Sequence, residues 1–150
     1  MDDRIEKIYW NTWDTDQYTI RFVLEIKQNS DKVECMKIVE HTDISQKPNI
    51  VVHSTRYCPS SQTLEFRDFV KSTIKTIRVN VPNVDKKITV KAASRAFVRV
   101  DGENYRNSDR DLSKEEKVTK SKIIVYSIND DVIDVSNFKI DRSTYFLYSD

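Results

Sequence analysis

Over residues 17–27 the chain alternates. Tyr18, Ile20, Phe22, Leu24 and Ile26 interleave with Thr19, Arg21, Glu25 and Lys27, and Val23 is the one apolar residue on the wetter side. A period of two marks a strand with one buried face. Asn29-Ser30-Asp31 supplies turn residues, so 33–40 is expected to return as its hairpin partner, and a third strand over 49–55 follows a polar turn containing Pro48.

After Pro59 the period changes. Phe66, Phe69, Val70, Thr73, Ile74 and Ile77 fall on one helical face, which predicts an amphipathic helix near residues 62–74 with Ser60 or Ser61 as its cap. Alternation resumes at Ile77, Val79 and Val81, and two strands follow over 87–92 and 95–100, ending at Asp101-Gly102. Residues 103–121 are polar throughout and read as a long exposed loop, with room for a short helix over 113–118. A hairpin over 122–128 and 132–140 turns at Asn129-Asp130-Asp131, and 144–148 closes the chain as a last strand. The expected fold is mainly β: one domain over 1–150, with about nine strands and one amphipathic helix, as a β-sandwich or a small closed β-barrel.

Composition strengthens the β reading. Thirty-one residues are Ile or Val, against four Leu and three Ala. Branching at Cβ restricts χ1 in a helix and suits a pleated surface. The charged N-terminus lacks the apolar core of a signal peptide, and no apolar run approaches the length of a membrane span, so no membrane partner is expected. Two cysteines are too few for a disulfide scaffold and suit a reducing compartment, so the expectation is an intracellular protein, cytoplasmic or nuclear. Abundant Lys, Asn and Ile with little Gly, Ala and Pro point to AT-rich codons, as in many large DNA viruses, parasites and low-GC microbes.

Little of the chain looks catalytic. With Gly102 as its single glycine, it can build neither a phosphate-cradling loop nor a GxSxG elbow, so no enzyme activity and no cofactor are expected. Asp14/Asp16, Asp109/Asp111 and the Asp130/Asp131/Asp134 group fall in expected turns, where Asp is at home without a cation. Cys35, His41, His53 and Cys58 supply the four nitrogen and sulfur ligands of a structural zinc, but no CxxC or HxxxH knuckle is present, and no metal site is assigned.

Charge changes the picture more. Residues 67–99 hold nine basic side chains against only Asp68 and Asp85, while the flanking segments are net acidic. On the expected helix Arg67, Lys71 and Lys75 share a stripe, and Arg78 continues it. On the next two strands Lys87, Lys91, Arg95 and Arg99 alternate with apolar residues, with Phe97 on the basic face. Basic side chains around an exposed aromatic suit single-stranded nucleic acid. The reading is a non-enzymatic module that contacts nucleic acid or another polyanion through Arg67, Lys71, Lys75, Arg78, Lys87, Lys91, Arg95, Phe97 and Arg99. The alternative is a protein-interaction module, for instance a viral factor that binds and antagonises a host protein, using Tyr9, Trp10 and Trp13 or the 103–121 loop.

Overall fold

The branched, alternating segments become strands. The computed structural model describes residues 4–10, 18–45, 47–70, 73–93, 98–106 and 120–141, and among them eleven strands form. They are β1 (Arg4–Trp10), β2 (Thr19–Ile26), β3 (Met36–Asp43), β4 (Ile50–Cys58), β5 (Thr63–Val70), β6 (Thr73–Asn80), β7 (Lys87–Ala93), β8 (Val98–Val100), β9 (Glu103–Tyr105), β10 (Ser121–Asn129) and β11 (Ile133–Asp141). A single 3-10 turn, Pro59–Ser61, joins β4 to β5.

Every strand pairing is antiparallel, in the order β6-β5-β4-β3-β10-β11-β2-β7-β8-β9. Strand β10 is the junction. It pairs with β1 over its length, with β3 over Ser121–Val125, and with β11 at Ile128 and Asn129. Two layers result, a front layer of β1, β10, β3, β4, β5 and β6 and a back layer of β11, β2, β7, β8 and β9. Their inner faces meet: Phe22, Ala92 and Val98 of the back layer and Val39, Thr55 and Phe66 of the front layer line one small cavity of about 30 Å³. The predicted alternation of β2 is realised, with Ile20, Phe22, Leu24 and Ile26 all buried in the shared core. The fold is a β-sandwich, one of the two expected architectures.

Four local expectations are corrected. The helix near 62–74 does not form. Strands β5 and β6 make a hairpin there, in register from Thr63↔Asn80 to Val70↔Thr73. Leu64 and Phe66 face the core on β5, as Ile77 and Val79 do on β6. The helical spacing arose because Phe69 and Ile74 sit on the outward face of the hairpin, directly opposite each other. Eight consecutive residues from 73 to 80 include four β-branched ones besides Val79, a composition that favours strand over helix.

Strands β2 and β3 are not hairpin partners either. β2 lies between β11 and β7, and residues 27–35 cross between layers, held by the Ser60 N–H donating to the Lys32 carbonyl at 3.2 Å and by a disulfide joining Cys35 to Cys58. Eleven strands form among the described residues against about nine expected, since β1, β5 and β9 were not foreseen as strands. Residues 103–105, expected in the polar loop, form β9 instead. Asp101 and Gly102, at φ 52° and 84°, make the two-residue turn between β8 and β9 that calls for positive φ at both positions. The expected strand over 144–148 and the helix over 113–118 lie outside the described residues. No helix among the described residues is long and apolar enough to cross a membrane.

Candidate functional site

Strand register brings together cations that are distant in sequence. On the outward face of the back layer, Lys139 of β11 lies opposite Arg21 of β2, Arg21 opposite Lys91 of β7, and Lys91 opposite Arg99 of β8. Four basic side chains therefore form one row across four neighbouring strands, about 14 Å long at the usual interstrand spacing. Alternation forces this on β2, β7 and β8, where Phe22, Val90 and Val98 take the inner positions next to them, and on β11 a register shift between Ser136 and Lys139 turns Lys139 outward. Lys91 is only 5% exposed, and Nε of Arg21 is buried without a hydrogen-bond partner. Arg99 Nε donates to the Gly102 carbonyl at 3.4 Å, while Lys91 and Lys139 are themselves engaged locally.

The surroundings set limits to the row. Two residues along β2 and β7, and three along the bulged β11, the same face carries Val23, Thr89 and Ser136, which are neutral. Two residues further it carries Asp134, Glu25 and Lys87, with Lys87 opposite Glu25. Beyond the row in the other direction lie Asp141 and Thr19. Acidic groups thus flank the cations along the strands, and the positive strip runs across them.

The sequence-predicted basic set does not form one surface. Lys87, Lys91 and Arg99 belong to the back layer, whereas Arg67, Lys75 and Arg78 belong to the front one. The expected stripe of Arg67, Lys71 and Lys75 is dissolved by the hairpin: Arg67 pairs with Thr76 on the outward face, and Lys75 pairs with Asp68 on the opposite face. Arg78 and Arg56 are held by Glu65, at 3.7 and 3.2 Å, and Glu65 is buried beneath them. Lys71, Arg95 and Phe97 lie outside the described residues. Arg21 and Lys139 were missed because they fall outside the 67–99 window. Arg21 stood on the polar side of its predicted strand, but Lys139 shares the parity of Ile133 and Val135 and reaches the outward face only through a register shift between Ser136 and Lys139, so only the pairing shows that they meet.

The four zinc-type residues separate into two pairs. Cys35 and Cys58 are joined in a disulfide, which removes both thiolates and corrects the expectation of free thiols. Such bonds form and persist in oxidising compartments. Glu65 lies beside the pair, with its carboxylate 3.5 Å from Cys58 Sγ. His41 and His53 stack at 5.3 Å between ring centroids, five residues or about 16 Å along β4 from Cys58. His41 is buried between two hydroxyls, Tyr18 Oη at 2.9 Å from Nδ1 and Ser121 Oγ at 2.9 Å from Nε2. His53 Nδ1 bonds Asp68 Oδ1. His41 has both ring nitrogens satisfied, whereas His53 Nε2 is buried without a hydrogen-bond partner, and the four residues do not converge on one point.

The other candidates are placed as follows. Tyr9 is half-buried against the core with Lys7 Nζ 5.0 Å from its ring centroid, and Trp10 pairs through its backbone with Lys122. Trp13 lies outside the described residues, as do Asp14, Asp16, Asp109 and Asp111. Asp130 serves its turn: Oδ1 accepts from the backbone N–H groups of Val132 and Ile133 at 2.8 and 2.9 Å.

No protein-family model matches this chain, and no curated protein does. Solved structures do resemble it. The binding domain of botulinum neurotoxin serotype D superposes with a TM-score of 0.59 at 12% identity, over 85% of this chain and 32% of that one. A point variant of human galectin-16 gives 0.58 at 8% identity, over 91% and 95%. A double-cysteine variant of alginate lyase A1-II' gives 0.57 at 8% identity, over 87% and 63%. The chain therefore spans less than two thirds of the lyase and about a third of the toxin domain, and at these identities the likeness establishes the β-sandwich fold alone.

Proposed function

We propose that this chain is a non-enzymatic binding module that takes a nucleic acid or another polyanion across the back layer, on Lys139, Arg21, Lys91 and Arg99. The observation that carries this reading is the register itself, which sets three like-charged cross-strand pairs in succession. Like charges placed directly opposite each other destabilise a sheet. An anionic ligand offsets part of that cost where the row reaches solvent, at Lys139, Arg21 and Arg99, while Lys91 is nearly buried and already engaged at its centre. Asp134 and Glu25 on one side and Asp141 on the other repel a chain lying along the strands, so the ligand runs along the row. Contacts of this kind bind phosphate or sulfate without reading sequence.

Fluorescence anisotropy of labelled single-stranded RNA and DNA across a salt series tests this. Three neutralised charges give a slope of log K against log salt of about −2, and about twentyfold weaker binding at 200 mM than at 50 mM salt. The double variant Lys139→Glu/Arg99→Glu changes only side chains at the ends of the row. It is expected to bind at least tenfold more weakly, with a shallower slope. Absence of binding to either nucleic acid and to heparin at 50 mM salt, or equal binding by the variant, would end the proposal.

A further inference from the structure

Two polar clusters lie side by side between the layers, and one of them is incomplete. The ring of His53 is fixed on three sides: Nδ1 bonds Oδ1 of Asp68, the His41 ring stacks on it at 5.3 Å, and the Tyr18 ring meets it edge-on at 5.9 Å. It cannot turn toward another contact without breaking these. Its Nε2 has no hydrogen-bond partner among the described residues, and the whole residue is only 7% exposed. The neighbouring cluster is complete, with His41 held between Tyr18 Oη and Ser121 Oγ. An unpaired buried nitrogen is costly, and buried polar atoms are ordinarily paired with protein or with ordered water. His53 also lines the interlayer cavity of about 30 Å³, together with Tyr18 and Thr55. A buried water needs about 10–15 Å³ of such space and two to four polar partners.

We infer that this cavity is a binding site for a buried water, which pairs with His53 Nε2 and bridges it to the hydroxyls of Tyr18 and Thr55. An ionised carboxylate only accepts, so His53 donates to Asp68 through Nδ1–H, and Nε2 of the neutral ring is a bare lone pair that takes a hydrogen from the water. The water's second hydrogen goes to a hydroxyl oxygen, since Tyr and Thr oxygens accept as well as donate. Size selects the occupant. The other walls include Ile20, Phe22, Val39, Phe66, Ala92 and Val98, and the space between them takes one or two waters but no larger organic molecule. A cavity walled by such side chains alone stays dry, and the polar groups of His53, Tyr18 and Thr55 make the difference. The water turns two clusters into one chain, Asp68–His53–water–Tyr18–His41–Ser121. That chain links β5, β4, β3 and β10 of the front layer to Tyr18, the residue that leads into β2 of the back layer.

Nuclear Overhauser contacts from water to the methyl groups of Val39 and Val98, measured on the full chain, test this directly. A long-lived contact is expected. It should persist in Thr55→Val, which excludes relay through the Thr55 hydroxyl proton. Ala92→Val adds two methyl groups to the cavity wall and is expected to abolish the contact. Although it buries more apolar volume, it should lower Tm by about 3 °C, because Nε2 loses its partner. In a His53→Phe background, which has no Nε2 to strand, the same substitution should leave Tm unchanged or raise it. That reversal of sign separates a lost water from simple overcrowding, which lowers Tm in both backgrounds. The inference is overturned if the parent shows no water contact at Val39 or Val98, whatever the variants do. It is equally overturned if Ala92→Val raises Tm in the parent, since filling a dry cavity stabilises the core. Should His53→Phe fail to fold, the water contacts in the parent and in Ala92→Val still decide the matter.

Discussion

Phe22 shows how much one side chain carries in this sandwich. It is fully buried on β2, packs at 5.5 Å between ring centroids against Phe138 of β11, and faces the front layer across the core. Phe22→Ala removes the ring and leaves a void between layers that cannot close without moving strands. The expected cost is about 3–5 kcal/mol, read as a shift in the denaturant midpoint with an unchanged slope. Tyr57 makes a different prediction. Burial raises its phenol above the ordinary value of 10.0. The folded state therefore favours the neutral phenol, so this contribution is complete below pH 10 and is lost as pH rises through the folded value. Thermal melts between pH 9 and 11 should fall less steeply for Tyr57→Phe than for the parent. An identical slope for both proteins would show that Tyr57 does not carry the alkaline sensitivity. At this scale the sequence was informative about burial: the alternating apolar residues of 17–27 and 122–128 are the ones in the core. It was uninformative about partners such as His41 with Tyr18 and Ser121, because these meet only after distant strands pair.

Strands were readable wherever one face was apolar and the other polar. β2, β4, β7, β10 and β11 fall close to the segments the alternation picked out, since a half-buried strand must write that pattern. The β5–β6 hairpin was not readable, because outward-facing Phe69 and Ile74 erased the alternation on which the reading depends. β9, three residues long and half-exposed, has no periodicity to read. The disulfide was equally hidden, as a pair of cysteines has no signature in a chain of this size. It ties the start of β3 to the end of β4 with a sequence separation of 23. Closing a loop of that length restricts the unfolded chain by about 3 kcal/mol on the chain-entropy account. Cys35→Ser/Cys58→Ser is expected to lose that much stability, and dithiothreitol should cost the parent the same while leaving the double variant unaffected. A parent protein indifferent to reductant would show that the cross-link adds nothing to the folded state.

Over the whole molecule, the question is which layer owns the charge. A basic excess between residues 67 and 99 is a property of the chain, but β5 and β6 sit in the front layer and β7 and β8 in the back one, so the excess is divided between two outward faces. The front cations are partly spent: Arg56 and Arg78 flank Glu65, and Lys37 lies 3.6 Å from Glu40. On the back layer the register adds Arg21 and Lys139, two residues from outside the basic segment, to Lys91 and Arg99. Polyanion binding by the row therefore predicts an asymmetry between faces that net charge alone does not. Reversing Lys37 to Glu changes net charge as much as reversing Lys139 to Glu, and both side chains are exposed. Measured at 50 mM salt, Lys139→Glu should weaken polyanion binding several-fold and lower the salt slope by about 1, whereas Lys37→Glu should change neither beyond twofold. Equal losses from the two variants would mean that the ligand senses only the overall field of the protein. A loss confined to Lys139→Glu would mean that strand order, by placing four cations in one line, built the site.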